Sequence, residues 1–415
     1  MAPSAAWRHA DWQLGLVLVN VALYAAAFQM QTPVTPSLVK SLSSDAQSQF
    51  ALLKSWNGLL QLVGTLLAGR YVDLAGARPV LLASFAASVA CYAMTYSANS
   101  IGWLLAAQVP TVLQHAVLAA RAYVALATSD EARTRTLGYV SVAYGVGFVL
   151  GPAVGGLLSQ HSLRASAAVA TAASAASFVS LLLLLDAAPA TAAAAASAPA
   201  TVAPSAVGGG GGGGGGLSAI WRSPALRGLL GVKALMSAAL SLFHSTFALV
   251  AADRFGMDAT GMGFLMSFAG ALGIVAQAVL VPLMTGRFAE GRVVLATSAA
   301  LAASFCGLAL ASTPSVLYAV CVPLTLCSTI CVLLNTSQIT RAAPGEVRGT
   351  LVGVDMALGS GFRMVAPAVG VLLLRHAGYW AMGACSAGLM GVATLLLALD
   401  AAPPAPPAPG GKKTD

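Results

Sequence analysis

Charge is scarce in this 415-residue chain. Asp, Glu, Lys and Arg supply 8% of it, where about 25% is ordinary for a soluble domain. Apolar residues reach 58% and mean hydropathy is +0.82. This balance excludes a soluble globular domain and points to a chain that crosses a membrane many times. No basic run is interleaved with aromatics, so the net charge of +8 reads as basic loops on one side of a bilayer, and no nucleic-acid partner is expected. No G-x-x-x-x-G-K-[ST] occurs, which excludes ATP-driven pumping by this chain alone. H-E-x-x-H and paired intramembrane carboxylates are missing too, which argues against a membrane metalloprotease or a metal-dependent transferase. No catalytic residue, metal site or cofactor is expected. The six cysteines (Cys91, Cys306, Cys321, Cys327, Cys331, Cys385) lie in apolar segments without metal-ligand spacing and read as small packing residues. The first apolar run is too long for a cleaved signal peptide and has no small-residue cleavage site.

What is present is a series of apolar segments of spanning length. Six fill the first half: Gln13–Pro33, Phe50–Ala68, Val80–Ala98, Gly102–Ala127, Leu137–Leu158 and Ala165–Leu185. Six fill the second: Leu226–Val250, Gly261–Met284, Val293–Ala311, Val316–Ile339, Thr350–Leu374 and Trp380–Leu399. The expected organisation is all-α, with an N-terminal six-helix bundle at 1–185 and a C-terminal one at 226–400. An Ala/Pro/Gly-rich linker at 186–225 joins them, and 401–415 is expected to be a disordered tail. If the termini and the linker are cytoplasmic, thirteen Lys and Arg lie inside and four (Lys40, Arg164, Arg254, Arg375) lie outside. That excess places both termini in the cytoplasm.

The densest signal is Arg121–Leu158. Gly147, Gly151 and Gly155 recur every four residues, a stripe on one helix face. Small residues at this spacing let two backbones approach closely in lipid, where burying apolar surface gives little drive for association. Pro152 can bend the same helix. Its G-x-G-x-x-x-G string lies inside a span with no preceding strand, so a dinucleotide site is excluded. A shift of 215 residues brings Glu131 onto Glu346, Arg133 onto Arg348, Gly138 onto Gly353 and Pro152–Gly155 onto Pro367–Gly370. AGRYVDLAGAR (Ala68–Arg78) is echoed by TGRFAEGR (Thr285–Arg292). The chain is a six-plus-six duplication, an arrangement that places a central site between two rocking bundles.

At these residues the chain resembles the major facilitator superfamily. Gly69, Arg70, Asp73, Gly76 and Arg78 are similar to its helix 2–3 loop motif. Gly138, Gly147, Gly151, Pro152, Gly155 and Gly156 are similar to its antiporter motif. The likeness extends to drug/proton antiporters and organic-cation-transporter-like members, and covers most of the chain outside the linker and tail. It implies a two-bundle fold with a cavity lined by helices one, two, four, five, seven, eight, ten and eleven. It further implies a loop that latches the outward-open state against the start of helix eleven, and proton-coupled antiport of organic cations or lipophilic drug-like compounds. Helix four departs from the pattern: Gln108 stands where drug-efflux relatives carry an arginine tied to proton coupling.

Ionisable groups inside a membrane are functional candidates by default. Asp355 is the one carboxylate well inside a span and the first candidate for a proton or cation. Lys233, at similar depth in helix seven, is its candidate partner, and Arg363 is expected to face the cavity. Arg121 and Lys54 lie nearer span ends, where snorkelling to the interface is expected. His115 and His244 sit mid-span and can relay protons, although a hydrogen-bonded packing role is the plainer expectation. Asn20, Gln29, Gln61, Gln114, Gln277, Asn335 and Gln338 add polar groups to the cavity or to helix contacts. Glu131, Arg133, Glu346 and Arg348 are expected to form a cytoplasmic charge network. Four intramembrane cations against one carboxylate favour an anionic or zwitterionic substrate, whereas the resemblance favours a cationic one; export of organic cations or lipophilic compounds is the expectation, and carriage of organic anions or small metabolites the alternative. The expected partners are a small molecule, protons and the lipid bilayer, with the chain acting as a monomer in either the plasma membrane or an internal membrane. A receptor or scaffold without transport is the third possibility.

Overall fold

The structure is a computed structural model that describes residues 5–128, 130–185, 224–342 and 348–401. Side chains are described for these except at 5–11, 130–132, 134, 224, 225, 340, 348–353, 355, 356, 400 and 401. Nearly all of the expected linker and the tail beyond 401 lie outside the described residues.

Among the described residues the chain forms twelve helical elements. They are α1 (Ala5–Leu42), α2 (Ala46–Ala75), α3 (Ala77–Tyr96), α4 (Ile101–Ala127), α5 (Asp130–Ser159), α6 (Ala165–Leu184), α7 (Pro224–Phe255), α8 (Ala259–Arg287), α9 (Glu290–Leu310), α10 (Pro314–Ala342), α11 (Arg348–Ala377) and α12 (Tyr379–Ala401). Eleven contain a stretch long and apolar enough to cross a membrane; α2 is the one that does not. Leucines and valines such as Leu183 and Leu310 are open at the surface, as befits helices whose solvent is lipid rather than water.

Two spans are broken. In α4, α-helix at Ile101–Ala107 gives way to a 3-10 turn at Val109–Leu113 and resumes at Ala116. Pro110 stands at the start of that turn. In α8 a single π turn occupies Ala276–Leu280, just before Pro282. Proline removes the backbone donor that would close a regular turn. The first span, by contrast, runs past its expected end at Pro33. Helix α1 continues through Pro33 and Pro36 to Leu42, and the Thr35 hydroxyl donates to the Gln31 carbonyl within the irregular turn.

The halves pack alike. Helix α1 lies against α5 in the first and α7 against α11 in the second, while α5 meets α8 and α2 meets α11 across the halves. The glycine stripe makes the first of these contacts. A Cβ at Gly147, Gly151 or Gly155 would stand 2.2, 2.7 or 2.2 Å from the carbonyl oxygens of Ala22, Ala26 and Met30 on α1. Gly370, the counterpart of Gly155, faces Thr246 of α7 at 2.3 Å in the same way. Gly156 and Gly263 instead close the seam between α5 and α8. Beside Pro152, the Ala153 N–H donates across that seam to the Ser267 hydroxyl at 2.9 Å. A neighbouring helix thus supplies a partner where proline disturbs the ladder.

One buried apolar cluster belongs to the first half and another to the second. A third joins them where α1 turns into α2, with Leu38, Val39, Phe50 and Leu53 against Leu249 and Val371. At this end, here called distal, polar contacts also cross the halves. Arg375 pairs with Asp45, Lys40 approaches Asp253 at 3.9 Å, and Gln47 donates to Asp253 at 3.3 Å. At the opposite, proximal end three polar contacts lie within a half. Arg78 donates to the Leu182 carbonyl, Arg133 to the Ala125 carbonyl, and Arg341 pairs with Glu290 at 2.9 Å.

Candidate functional site

The break in α4 replaces the regular ladder at membrane depth with short-range bonds, Gln108 N–H to the Leu105 carbonyl and Gln114 N–H to the Thr111 carbonyl, and α2 adds a second donor to each of these carbonyls. Trp56 donates to the Leu105 carbonyl at 3.1 Å and Gln61 to the Thr111 carbonyl at 3.4 Å. Asn57 donates to the side chain of Gln108 at 3.0 Å. From α1, the Tyr24 hydroxyl donates to the Gln114 carbonyl at 2.7 Å. An unpaired backbone group in hydrocarbon costs several kcal/mol, so a broken span requires polar neighbours. This explains why α2 alone falls short of a membrane-like composition: Trp56, Asn57 and Gln61 are the partners of its neighbour. Gln108, where relatives place an arginine, is held in this set.

Beside the break lies a cavity of about 100 Å³, enclosed by α1–α4. Gln31, Lys54, Tyr92 and Gln114 line it. Lys54, expected to reach for the interface, lines this polar recess, its ammonium 5.5 Å from the centre of the Phe50 ring. Gln114 and Tyr92 are 2% and 3% exposed. Neither amide atom of Gln114, nor the Tyr92 hydroxyl, nor Gln31 Nε2 has a hydrogen-bond partner. Such an orphan costs about 1–3 kcal/mol, so four such atoms on three residues that line one cavity are a local debt of polar interactions. His115 ends the break. It is 9% exposed, its Nε2 is unpartnered, and its ring sits where a Cβ on Gly64 of α2 would be, at 2.4 Å.

A second group of charges lies between the halves. Arg121 on α4 and Arg363 on α11 are both exposed, and both act electrostatically on the Tyr144 hydroxyl of α5. Arg363 also donates to Ser360 at 3.0 Å. Its backbone is fixed by α2: a Cβ at Gly58 would meet the Met364 Cα and the Arg363 carbonyl at 3.0 and 3.1 Å. Arg121 and the α11 arginine are thus both within electrostatic range of one tyrosine. Lys233 on α7 is 7% exposed and donates to the Thr336 hydroxyl of α10 at 2.6 Å. The side chain of its expected partner, Asp355, lies outside the described residues. His244 is exposed on α7, its ring 5.1 Å from that of Phe243. Asn335 is fully buried with both amide atoms unpartnered.

The helix 2–3 loop is short. Gly76 ends α2 and starts α3 at φ 86°, donating back to the Val72 carbonyl at 2.9 Å; a left-handed residue between two helices calls for glycine. Asp73 is exposed in the last turn of α2, and α3 begins without a side-chain cap, so Asp73 does not cap it. Space at Gly69 and Gly138 is open, and Arg70 is engaged rather than free. Glu346 and the side chains of Glu131 and Arg348 lie outside the described residues. The expected latch onto the start of α11 and three members of the expected charge network therefore fall there. The α4 break, the recess and the distal ion pairs were not read from the sequence. Pro110 flanked by Gln108 and Gln114 was the available signal for the first two.

Comparison with known proteins agrees with this architecture. The family model described as Major Facilitator Superfamily matches residues 17–361. The mouse solute carrier family 22 member 18 is 28% identical over 374 residues, covering 88% of this chain and 89% of that one. The class C tetracycline resistance protein of Escherichia coli is 34% identical over 153 residues, covering 36% of this chain and 39% of that one. The crystal structure of the human organic anion transporter MFSD10 (TETRAN) superposes with a TM-score of 0.66 at 20% identity, covering 94% of this chain and 99% of that one; at that identity it speaks for the fold. Twelve helices in two packed halves, many of them long and apolar enough to span a bilayer, and a match over most of the chain lead to one conclusion: this chain is an integral, multi-pass membrane transporter, not an enzyme, and belongs to the major facilitator superfamily.

Proposed function

We propose that the chain carries small organic anions or zwitterions by alternating access between its halves, 1–185 and 226–400, with one monomer as the working unit. The reading is supported by two exposed arginines, Arg121 and Arg363, one from each half and both within electrostatic range of Tyr144. Charge inside a bilayer costs several kcal/mol, so a guanidinium at the mid-span position of Arg363, with that of Arg121 in electrostatic range of the same tyrosine, points to a wet pathway and a negatively charged group to meet them. With the termini cytoplasmic, the distal end faces away from the cytoplasm, and the contacts across it belong to a state closed on that side. A second reading is proton-coupled export of organic cations or lipophilic drug-like compounds. It is favoured by the glycine-packed α5, by the tetracycline resistance relatives, and by Asp355 as the one carboxylate well inside a span.

Flux in proteoliposomes separates the two. Purified protein is assayed with a fluorescent organic anion and a fluorescent organic cation. Each is followed with and without an imposed pH gradient, with valinomycin and potassium clamping the voltage. The first reading expects anion transport whose KM rises about tenfold in Arg363→Gln, the loss of one charge-assisted contact. Anion flux indifferent to Arg363→Gln, together with pH-driven cation accumulation abolished by Asp355→Asn, would hand the protein to the second.

A further inference from the structure

We propose that the recess at the break in α4 binds the carboxylate of a small organic acid, with Lys54 as its counter-charge. This site lies within the first half, on α1–α4, and is separate from the Arg121–Tyr144–Arg363 group. Along α4, Gln114 precedes Arg121 by seven residues, about 10 Å at helical rise.

Three observations converge on it. Non-helical backbone at membrane depth is stable where it lines a cavity, and here the cavity is present. Two of its polar lining side chains, Gln114 and Tyr92, are almost wholly buried and carry atoms without a hydrogen-bond partner. Those atoms, with Gln31 Nε2, are two amide nitrogens that only donate, a hydroxyl that can donate or accept, and one amide oxygen. Lys54 adds a positive charge that makes no ion pair among the described residues and stands 5.5 Å from the centre of the Phe50 ring.

The chemistry selects the ligand. A carboxylate is acceptor-only, with two oxygens and about four lone-pair sites, and hydrogen bonds to it from an ammonium and amides are charge-assisted. A cation would meet an ammonium and a surplus of donors. Water can satisfy the orphaned amides but leaves Lys54 without a counter-ion. Phe28, Leu53 and Leu104 complete the wall and suit a short hydrocarbon or single-ring body. The binding itself is independent of the transport reading; only its meaning, a resting place for the acid group of the cargo, rests on that reading.

The test uses the purified full-length chain in nanodiscs and follows its thermal unfolding midpoint. Benzoate is titrated against benzamide, its neutral isostere, and against benzylamine, a cation of similar shape, with sodium chloride matching ionic strength. Benzoate alone should raise the midpoint and saturate. Lys54→Gln should weaken the apparent affinity by about tenfold or more. Gln114→Glu, which sets a fixed carboxylate against Lys54, should abolish the response in a protein that still unfolds cooperatively. Equal shifts with benzamide, no shift with benzoate, or a full benzoate response in either variant would overturn the site. A response lost in Arg363→Gln but intact in Lys54→Gln would also overturn it, while leaving anion transport between the halves standing.

Discussion

Gly155 has no room for a side chain, because the Met30 carbonyl and Cα of α1 would stand 2.2 and 2.7 Å from its Cβ. Gly138 belongs to the same sequence motif, and nothing lies within 4 Å of its would-be Cβ. Periodicity treats these glycines alike, and packing separates them. Gly155→Ala should therefore destabilise the protein by about 1–3 kcal/mol through overpacking against backbone that cannot yield. Gly138→Ala should be neutral or slightly stabilising, since alanine is the better helix former by about 1 kcal/mol. Thermal unfolding of the two variants in one detergent checks the contrast; equal midpoints would mean that α1 and α5 do not pack this closely. Lys54 teaches the same lesson with charge. Sequence depth placed it near a span end, where long side chains reach for the interface. The recess beside it, created by a break on another helix, gives it a second destination that depth alone does not reveal.

At the scale of the element, α2 and α4 are legible only as a pair. Alone, α2 is a helix with too many polar residues for lipid, and α4 is a span interrupted at Pro110. Together, Trp56, Asn57 and Gln61 serve carbonyls and an amide in the segment Leu105–Thr111. Making α2 more apolar should thus weaken the protein. Asn57→Leu leaves Gln108 without its donor and should cost about 1–3 kcal/mol, read as a lower unfolding midpoint, despite the gain in hydropathy. A higher midpoint would show that water, not α2, satisfies the break. The glycine stripe, by contrast, was legible in advance, because its spacing alone specifies close helix contact in lipid. What could not be read was its partner. Spacing says that some backbone comes near, and only the packing shows α1 for Gly147, Gly151 and Gly155 but α8 for Gly156.

For the whole molecule the question is which end is shut. The distal end combines an apolar cluster shared by both halves with the Arg375–Asp45 pair. Burial by itself would raise the Asp45 carboxyl, but hydrogen bonds from Ser48 and the Arg375 guanidinium outweigh it and hold the group below the usual carboxylate range. A depressed carboxylate contributes its stabilisation above its ordinary pKa, about 3.9. The contribution is lost only as pH falls through the lower, paired value. The pair is therefore fully formed throughout pH 5–8. It is also about half exposed, and exposed pairs contribute modestly. Arg375→Gln should accordingly raise maleimide labelling of a Val371→Cys reporter by only a few-fold, and by the same factor at pH 5 and pH 8. A factor that grows toward pH 8 would mean that Asp45 titrates in that range and that the pair is weaker than its geometry indicates.

The amino-acid sequence by itself determined that this chain spans a membrane many times, that it is a duplicated transporter of one superfamily, and which helix face carries the closest contacts. Hydropathy, charge placement and glycine spacing are local properties, and lipid imposes them on each span separately. Only the tertiary structure decided that α4 is broken and that α2 is polar in order to serve it. It also brought Arg121 and Arg363 within electrostatic range of one tyrosine and drew the halves together at the distal end. Each of these depends on residues far apart in the chain satisfying one another's polar groups or filling one another's space, and that pairing has no period to read in one dimension.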